Sequence, residues 1–183
     1  MYNAALVWRP TRLALNIVVN DEGEVMSLDQ RLLRDSLGQF ATGVCVVTAS
    51  APGFAPFGMT VNSFASVSLE PPLVLWSLRN DSECFDAFLA AKHYTVNVLS
   101  QDQIGQSNKF AGKDDHALAQ TEYRTGTSGS PVLRNALCSM ECETWRRYDG
   151  GDHLILVGRV IAVDKRPTGK PLVFHGGMYR ELR

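Results

Sequence analysis

Residues 58–78 read GMTVNSFASVSLEPPLVLWSL, and this stretch decides the fold of the chain. From Met59 to Ser68 small polar residues alternate with apolar ones, and Leu73 to Leu78 form an almost unbroken apolar run, so both are typical of β-strands. Glu70-Pro71-Pro72 separates the two runs and predicts a turn. The stretch therefore predicts two consecutive strands.

The flanking sequence predicts further strands and only scattered helices. Apolar or alternating runs predict strands at 44–48, 93–99, 136–147 and 153–164, with a hairpin turn at 149–151 between the last two. Helical spacing predicts helices at 82–92 and 101–110, and the segments 50–58 and 124–131 are expected to be loops. Because the strands do not alternate regularly with helices, we predict a mainly β (α+β) fold, an antiparallel barrel with short flanking helices.

The first 26 residues differ from the rest of the chain. Short apolar pieces are interrupted by Arg-Pro and Asp-Glu-Gly, and the segment lacks the unbroken apolar stretch of a signal peptide. A helix is predicted to follow, because Ser27 and Gln30 form a capping box before apolar residues at helical spacing, namely Leu33, Leu37 and Phe40. We therefore predict an N-terminal extension at 1–26, which a start site placed too early at Met1 would explain, and one domain at 27–183.

Composition and charge narrow the classes of partner. The 183 residues carry 18 Lys+Arg and 19 Asp+Glu, a formal net charge of -1, which disfavours nucleic-acid binding. No polybasic segment suits a membrane surface, and no apolar run approaches the roughly 18 to 20 residues that span a membrane. We therefore expect small molecules or proteins as partners.

Cysteine usage and motif content narrow the chemistry. The four cysteines do not form a disulfide framework and, without a signal peptide, they indicate a reducing cytoplasm. Neither their spacing nor that of the dispersed histidines predicts a metal site. Rossmann, phosphate-loop, HExxH and nucleophile-elbow motifs are absent from the sequence. Any nicotinamide chemistry therefore needs a different scaffold.

The segment GMTVNSF is the most unusual feature of the chain. Thr60, Asn62 and Ser63 present hydroxyl and amide groups that can donate and accept hydrogen bonds. Phe64 offers a flat apolar surface, and Gly58 lets the backbone pass close to a ligand. Such a set suits a flat heteroaromatic ring with polar edges, whereas a strand edge whose polar residues face water is the alternative.

Six blocks of the sequence resemble the flavin reductase-like family, which has an FMN-binding split barrel. They are FATGVCVVT (40–48), GMTVNSFASVSLEPPLVLWSL (58–78), YTVNVLS (94–100), KFAG (109–112), GDHLILVGRV (151–160) and PLVFHGGMY (171–179). The resemblance implies an antiparallel, Greek-key-type split β-barrel and NAD(P)H-dependent reduction of FMN or FAD, with NADH or NADPH as hydride donor. It also implies a homodimer with flavin near the subunit interface and a flavin-dependent monooxygenase that receives the reduced flavin by free transfer.

The resemblance also implies roles for individual residues. It places His153, in the GDH block, beside the nicotinamide and the flavin as the catalytic residue, while Asp152 either orients it or completes the hairpin turn. The cofactor-binding residues that it implies are Thr60, Val61, Asn62, Ser63, Phe64, Ser77, Asn80, Ser82, Lys109, Phe110 and Tyr179. A plain helix N-cap at Ser82 and an exposed helix-end lysine at Lys109 are the alternatives.

Two other functions stay open at this point. One is a flavin-binding or electron-carrying module without NAD(P)H turnover, and the other is a structural dimerisation domain. The residues do not choose between FMN and FAD, between NADH and NADPH, or between a released and a permanently bound flavin.

Overall fold

A computed structural model describes residues 29–113 and 115–182. Its strands are β1 (Thr42–Gly43), β2 (Cys45–Ala49), β3 (Phe57–Val61), β4 (Ala65–Leu69), β5 (Pro72–Arg79), β6 (His93–Val98), β7 (Tyr123–Thr125), β8 (Pro131–Leu133), β9 (Cys138–Asp149), β10 (His153–Lys165), β11 (Val173–His175) and β12 (Met178–Arg180). Its helices are α1 (Gln30–Leu37), α2 (Phe85–Ala90) and α3 (Ile104–Ala111), and a 3-10 turn at Gln101–Gln103 precedes α3.

Helix α1 lies in a unit separate from the one formed by Phe40–Arg183, and it is described by itself. Its N-cap is Asp29, whose Oδ1 accepts hydrogen bonds from the backbone N–H groups of the first turn at 2.8 and 3.3 Å. The predicted cap Ser27 and the predicted extension 1–26 lie outside the described residues. The helix ends at Leu37, so Phe40 lies beyond it and the expectation that Phe40 continues the helical face is wrong.

Seven strands form one antiparallel sheet in the order β3-β2-β6-β9-β10-β5-β4. The predicted hairpin is confirmed as β9–β10, and β10 pairs with β5 from His153 opposite Arg79 to Arg159 opposite Leu73. The predicted strand 59–68 is two strands, β3 and β4, at opposite edges of the sheet. Only residues 62–64 connect them, so the four steps from Val61 to Ala65 reach at most about 14 Å. The two edges must therefore lie close together, so the sheet is rolled into a barrel.

Aromatic side chains fill the interior of this barrel. The ring of Trp76 meets those of Phe88 and Tyr94 edge-on, with centroids 4.9 and 5.8 Å apart. Gly158 on β10 allows this packing, because a Cβ there would overlap the Tyr94 hydroxyl and lie 2.9 Å from Cys142 Cβ. A side chain at position 158 would therefore displace the aromatic cluster.

The segment 124–131, expected as a loop, includes parts of a small hairpin, β7–β8. The hairpin is held by the fully buried Asn97, whose carboxamide accepts from Leu133 N at 3.0 Å and donates to Val46 O at 2.9 Å. A hydrogen-bonded polar group of this kind fixes one register in an otherwise apolar interior. The hydrogen bonds of Asn97 to Val46 and Leu133 could not be predicted from the sequence, because both partners are distant from Asn97 along the chain.

Glu141 on β9 is a buried carboxylate enclosed by the same loop. It accepts hydrogen bonds from Thr127 N at 3.0 Å and from Ser128 N and Oγ, both at 2.7 Å. Burial alone would raise the pKa of Glu141, but the bonds from Ser128 and Thr127 outweigh it and lower the pKa below its ordinary value. The negative charge therefore ties the loop to the sheet.

Helix α2 is shorter than expected. Its N-cap is Cys84 rather than Ser82, so the predicted cap is wrong; Ser82 lies two residues earlier, and its Oγ accepts from Cys84 N at 3.2 Å. The predicted helix 101–110 is confirmed as the 3-10 turn followed by α3. Within the described ranges, we find no helix with the length and apolar character needed to cross a membrane.

Candidate functional site

A cavity of about 460 Å³ opens where the end of β3, the end of β5 and the β9–β10 turn come together. Its lining consists of Met59, Thr60, Val61, Asn62, Ser63, Ser77, Arg79, Asp81, Ser82, Glu83, Ala111, Lys113, His116 and His153. Seven of the twelve residues expected at the site line it, namely Thr60, Val61, Asn62, Ser63, Ser77, Ser82 and His153. The structure thus brings together residues that are far apart in the sequence.

The polar wall of the cavity is the end of β3 and the short connection to β4. β3 is an edge strand, so one side of its backbone has no strand partner within the sheet. Thr60 Oγ1 donates to Ser107 O at 2.8 Å, which anchors this wall to α3. Ser63 Oγ accepts from Ser77 N at 3.0 Å and lies 3.3 Å from Ser77 O, which joins the wall to β5. The wall is therefore fixed from both sides.

Two lining groups keep their hydrogen-bonding capacity for a ligand. In the part of the chain that the structure describes, neither the Asn62 carboxamide nor the Ser77 hydroxyl has a hydrogen-bond partner. Both can donate and accept, which suits the mixed polar edge of a heteroaromatic ring such as that of a flavin. The volume also falls within the usual range of about 300–1,000 Å³ for small-molecule sites. The residues present therefore fit a flavin.

His153 begins β10 at the rim of the cavity. Its Nδ1 lies 2.7 Å from Asp152 Oδ1, and the His153 hydrogen bond and then its charge lower the pKa of the Asp152 carboxyl. Asp152 is thus ionised at neutral pH and holds one ring nitrogen. Nε2 remains as the nitrogen available to a ligand.

Asn80 does not line the cavity but fixes the turn that carries His153. Its Nδ2 donates to Gly151 O at 2.9 Å, and its backbone N donates to Asp152 O at 3.0 Å. Gly151 adopts φ +82°, which the tight turn requires and which most side chains disfavour. The geometry therefore gives Asn80 a positioning contact, whereas the resemblance implied direct cofactor binding.

Three other expected residues lie away from the cavity. Lys109 Nζ donates to Glu122 Oε2 at 2.8 Å and to Ala117 O at 3.1 Å, so its charge is compensated within the chain. Phe110 is fully buried in a core cluster, and Phe64 packs against the main core. We therefore find structural contacts at all three positions.

Tyr179 lines a smaller cavity, of about 160 Å³, that also contacts the β3 wall. This cavity shares Thr60, Val61, Asn62 and Ala111 with the first. Tyr179 Oη lies 2.8 Å from Ser107 Oγ and donates to Asn108 Oδ1 at 2.8 Å. Tyr179 therefore joins the β11–β12 hairpin to α3 beside the residues expected to contact the cofactor.

His116 lines the cavity, although the sequence predicts no role for it. Its Nδ1 lies 3.1 Å from Gly58 O, its Nε2 lies 3.6 Å from Glu83 Oε2, and its backbone O accepts from Gly58 N. The segment after α3 is thereby tied to the start of the β3 wall. No spacing signal could have found this residue, because the contact joins positions that are remote in sequence.

The cavity has balanced formal charge. Arg79 lies 2.7 Å from Asp81, so these two side chains neutralise each other, and Lys113 and Glu83 supply one further charge of each sign. No cysteine lines this cavity, and burial raises the pKa of Cys45 and of Cys142 to about 12. Within residues 29–113 and 115–182, no group of three His, Cys, Asp or Glu residues could hold a metal ion.

Comparisons with known proteins agree with this geometry. The flavin reductase like domain matches residues 37–183. The chain is 44% identical over 151 residues to the FMN reductase (NADH) SmoA of Agrobacterium fabrum, covering 82% of this chain and 85% of that protein. It is 35% identical over 163 residues to the flavin-dependent monooxygenase reductase subunit HsaB of Rhodococcus jostii, covering 88% of this chain and 83% of that protein.

A solved structure extends the likeness to three dimensions. The NADH:FAD oxidoreductase SgcE6 of Streptomyces globisporus C-1027, in complex with NAD and FAD fragments, superposes with a TM-score of 0.79 at 36% identity, covering 87% of this chain and 97% of that one. The expected mainly antiparallel split-barrel fold is confirmed. The chain belongs to the flavin reductase like family.

Proposed function

We propose that this protein is an NAD(P)H:flavin oxidoreductase that reduces FMN or FAD and supplies the reduced flavin to a partner monooxygenase. The observation that carries the proposal is the cavity in which the β3 wall, Ser77 and His153 meet. A bound flavin supplies hydride-accepting chemistry there, with a dihydronicotinamide as the donor. Membership of the family and the cavity's fit to a flavin both support this function.

The residues of the chain bind and orient. The Asn62 carboxamide and the Ser77 hydroxyl hydrogen-bond the polar edge of the ring, while Val61 offers apolar contact. His153 is held by the hydrogen bond between its Nδ1 and Asp152. Its Nε2 would hydrogen-bond the ring edge and stabilise the negative charge that develops there. Exclusion of water and close placement of the donor against a bound flavin would favour hydride transfer, and the residues of this chain would bind and orient the two molecules.

NADH is the hydride donor that we propose. NADPH carries an additional 2′-phosphate, which an excess of positive charge would stabilise. The cavity has no such excess, because the carboxylates of Asp81 and Glu83 balance its cationic side chains. The proteins named FMN reductase (NADH) SmoA and NADH:FAD oxidoreductase SgcE6 support the same choice. We further propose that the protein forms a homodimer. We also propose that it acts in the cytoplasm, because the cysteines in the described residues are all free.

Steady-state oxidation of NADH by the purified protein tests the proposed function. We expect rapid loss of NADH absorbance only when FMN or FAD is added, and slower turnover with NADPH. His153→Ala should lower kcat/KM for NADH by about tenfold or more, the effect of losing one hydrogen bond to a charged group, with a smaller change in the flavin Kd. Flavin binding without any NADH loss would instead establish a flavin-binding module.

A further inference from the structure

A second large cavity, of about 370 Å³, lies away from the site described above. It is reached at the opposite end of β10, where Asp164 follows His153 along the same strand. At about 3.3 Å per residue the two positions are separated by roughly 30 Å or more along the strand. The two cavities share no lining residue.

Three arginines surround this cavity, namely Arg124, Arg134 and Arg166, with Asp164 as the single carboxylate. The formal charge of the lining is therefore +2, whereas the whole chain carries -1. A concentration of guanidinium groups on a concave surface attracts anions and can bind carboxylate or phosphate with paired hydrogen bonds.

Two of these guanidinium groups are held in place by the chain itself. Arg124 Nη2 lies 2.6 Å from Asp164 Oδ2, and Arg166 Nη1 donates to Asn135 O at 2.9 Å. Asn135 adopts φ +64°, which is uncommon for a residue other than glycine. In the described part of the chain, the Arg134 side chain has neither a hydrogen bond nor an ion pair, so its donors remain available.

The cavity also has an apolar floor. Val132, Leu133 and Ala136 are buried and line it together with the arginines. Inorganic ions alone would leave this floor in contact with water, whereas an organic anion would cover it. The combination favours a ligand with an apolar body and one anionic group.

We propose that this arginine-lined cavity is a binding site for a small organic anion that carries a phosphate or carboxylate group. The site is separate from the flavin cavity and does not depend on the proposed reductase activity. Arg134 supplies unpaired hydrogen-bond donors, Arg166 supplies fixed positive charge beside the Arg124–Asp164 ion pair, and the floor contacts the apolar body.

Titration of the full-length ¹⁵N-labelled protein with phenyl phosphate, followed by NMR, tests the proposal. We expect saturable shifts at the amides of residues 132–136 and 164–166, both with and without saturating FMN. Inorganic phosphate and phenol should each bind more weakly, because each lacks one half of the ligand. A lower Kd for phenyl phosphate than for benzoate would identify phosphate as the preferred group, and the reverse would identify carboxylate.

Variants separate the cavity from general surface charge. Arg134→Gln should raise the Kd of phenyl phosphate by about tenfold, and Arg166→Gln gives a second, independent removal of charge. Arg180→Gln, an exposed arginine outside both cavities, should leave the Kd within about twofold. Retained amide spectra confirm folding of each variant.

Any of four results would overturn the proposal. Three of them are the absence of saturable shifts at millimolar ligand, an equal loss of affinity in Arg180→Gln, and shifts confined to the flavin cavity. Tighter binding of a hexaglutamate peptide than of phenyl phosphate would also overturn it, because the cavity would then suit an acidic protein segment.

Discussion

Removal of the Asn80 side chain tests whether the β9–β10 turn must be held in place for His153 to act. Asn80→Ala deletes the hydrogen bond from Nδ2 to Gly151 O at 2.9 Å but keeps the backbone bond to Asp152 O at 3.0 Å. A hydrogen bond of this kind contributes about 0.5–1.5 kcal/mol. This corresponds to a two- to tenfold change in the ratio of molecules whose β9–β10 turn is held in place to those whose turn is released. We therefore expect kcat/KM for NADH to fall by up to about tenfold.

The assay is steady-state NADH oxidation with saturating flavin, combined with a double-mutant cycle. In the His153→Ala background, Asn80→Ala should cause no further loss, because the turn then no longer carries the responsible side chain. Ser36→Ala is the matched control, since it also removes a single exposed side chain to backbone hydrogen bond, from Ser36 Oγ to Leu32 O at 2.7 Å, outside the cavity. Wild-type activity in Asn80→Ala, or an equal loss in both backgrounds, would refute the reasoning.

Three further substitutions test other parts of the account. Tyr179→Phe deletes the hydroxyl that is hydrogen-bonded to α3. It should lower the free energy of unfolding by about 1 kcal/mol and raise the flavin Kd severalfold, and an unchanged Kd in a fluorescence titration would argue against a cofactor role. Glu141→Gln should lower the free energy of unfolding by roughly 1.5–3 kcal/mol at neutral pH. Because the folded-state pKa of Glu141 is lowered from 4.5, the difference from wild type should disappear as pH falls through that lowered pKa. A difference in urea unfolding that is independent of pH contradicts this. Gly158→Ala should lower the free energy of unfolding by about 1–3 kcal/mol, because the new Cβ overlaps the Tyr94 hydroxyl. Adding Tyr94→Phe should recover part of this loss, and the absence of any recovery in thermal unfolding would contradict the packing argument.

Much of the sheet could be predicted from the sequence because strand signals are local. The β9–β10 hairpin follows from two long β-prone runs around a Gly-Gly turn, and the structure confirms it. The break at residues 62–64 was not predicted, because only two successive polar residues, Asn62 and Ser63, interrupt an otherwise strand-like pattern. Ser63 makes the break possible by bonding to Ser77 in place of a continuing strand pair, and that contact depends on the rolled sheet.

Part of the candidate site was expected from the resemblance together with local chemistry, and its roles stay predictions. The β3 wall and His153 line one cavity, as expected for a shared site. Asn80 and Lys109 could not be placed from sequence, because their polar side chains are used by the remote partners Gly151 and Glu122. His116 gave no signal for the same reason, since its contact to Gly58 exists only in the folded chain.

Anaerobic reduction of flavin tests the central claim most directly. Purified protein is mixed with FMN or FAD and NADH in a stopped-flow instrument without oxygen, and the absorbance of the oxidised flavin is followed. Our account predicts rapid bleaching with the wild-type protein and bleaching slowed by about tenfold or more in His153→Ala. A rate no faster than that of NADH and flavin without protein would contradict it.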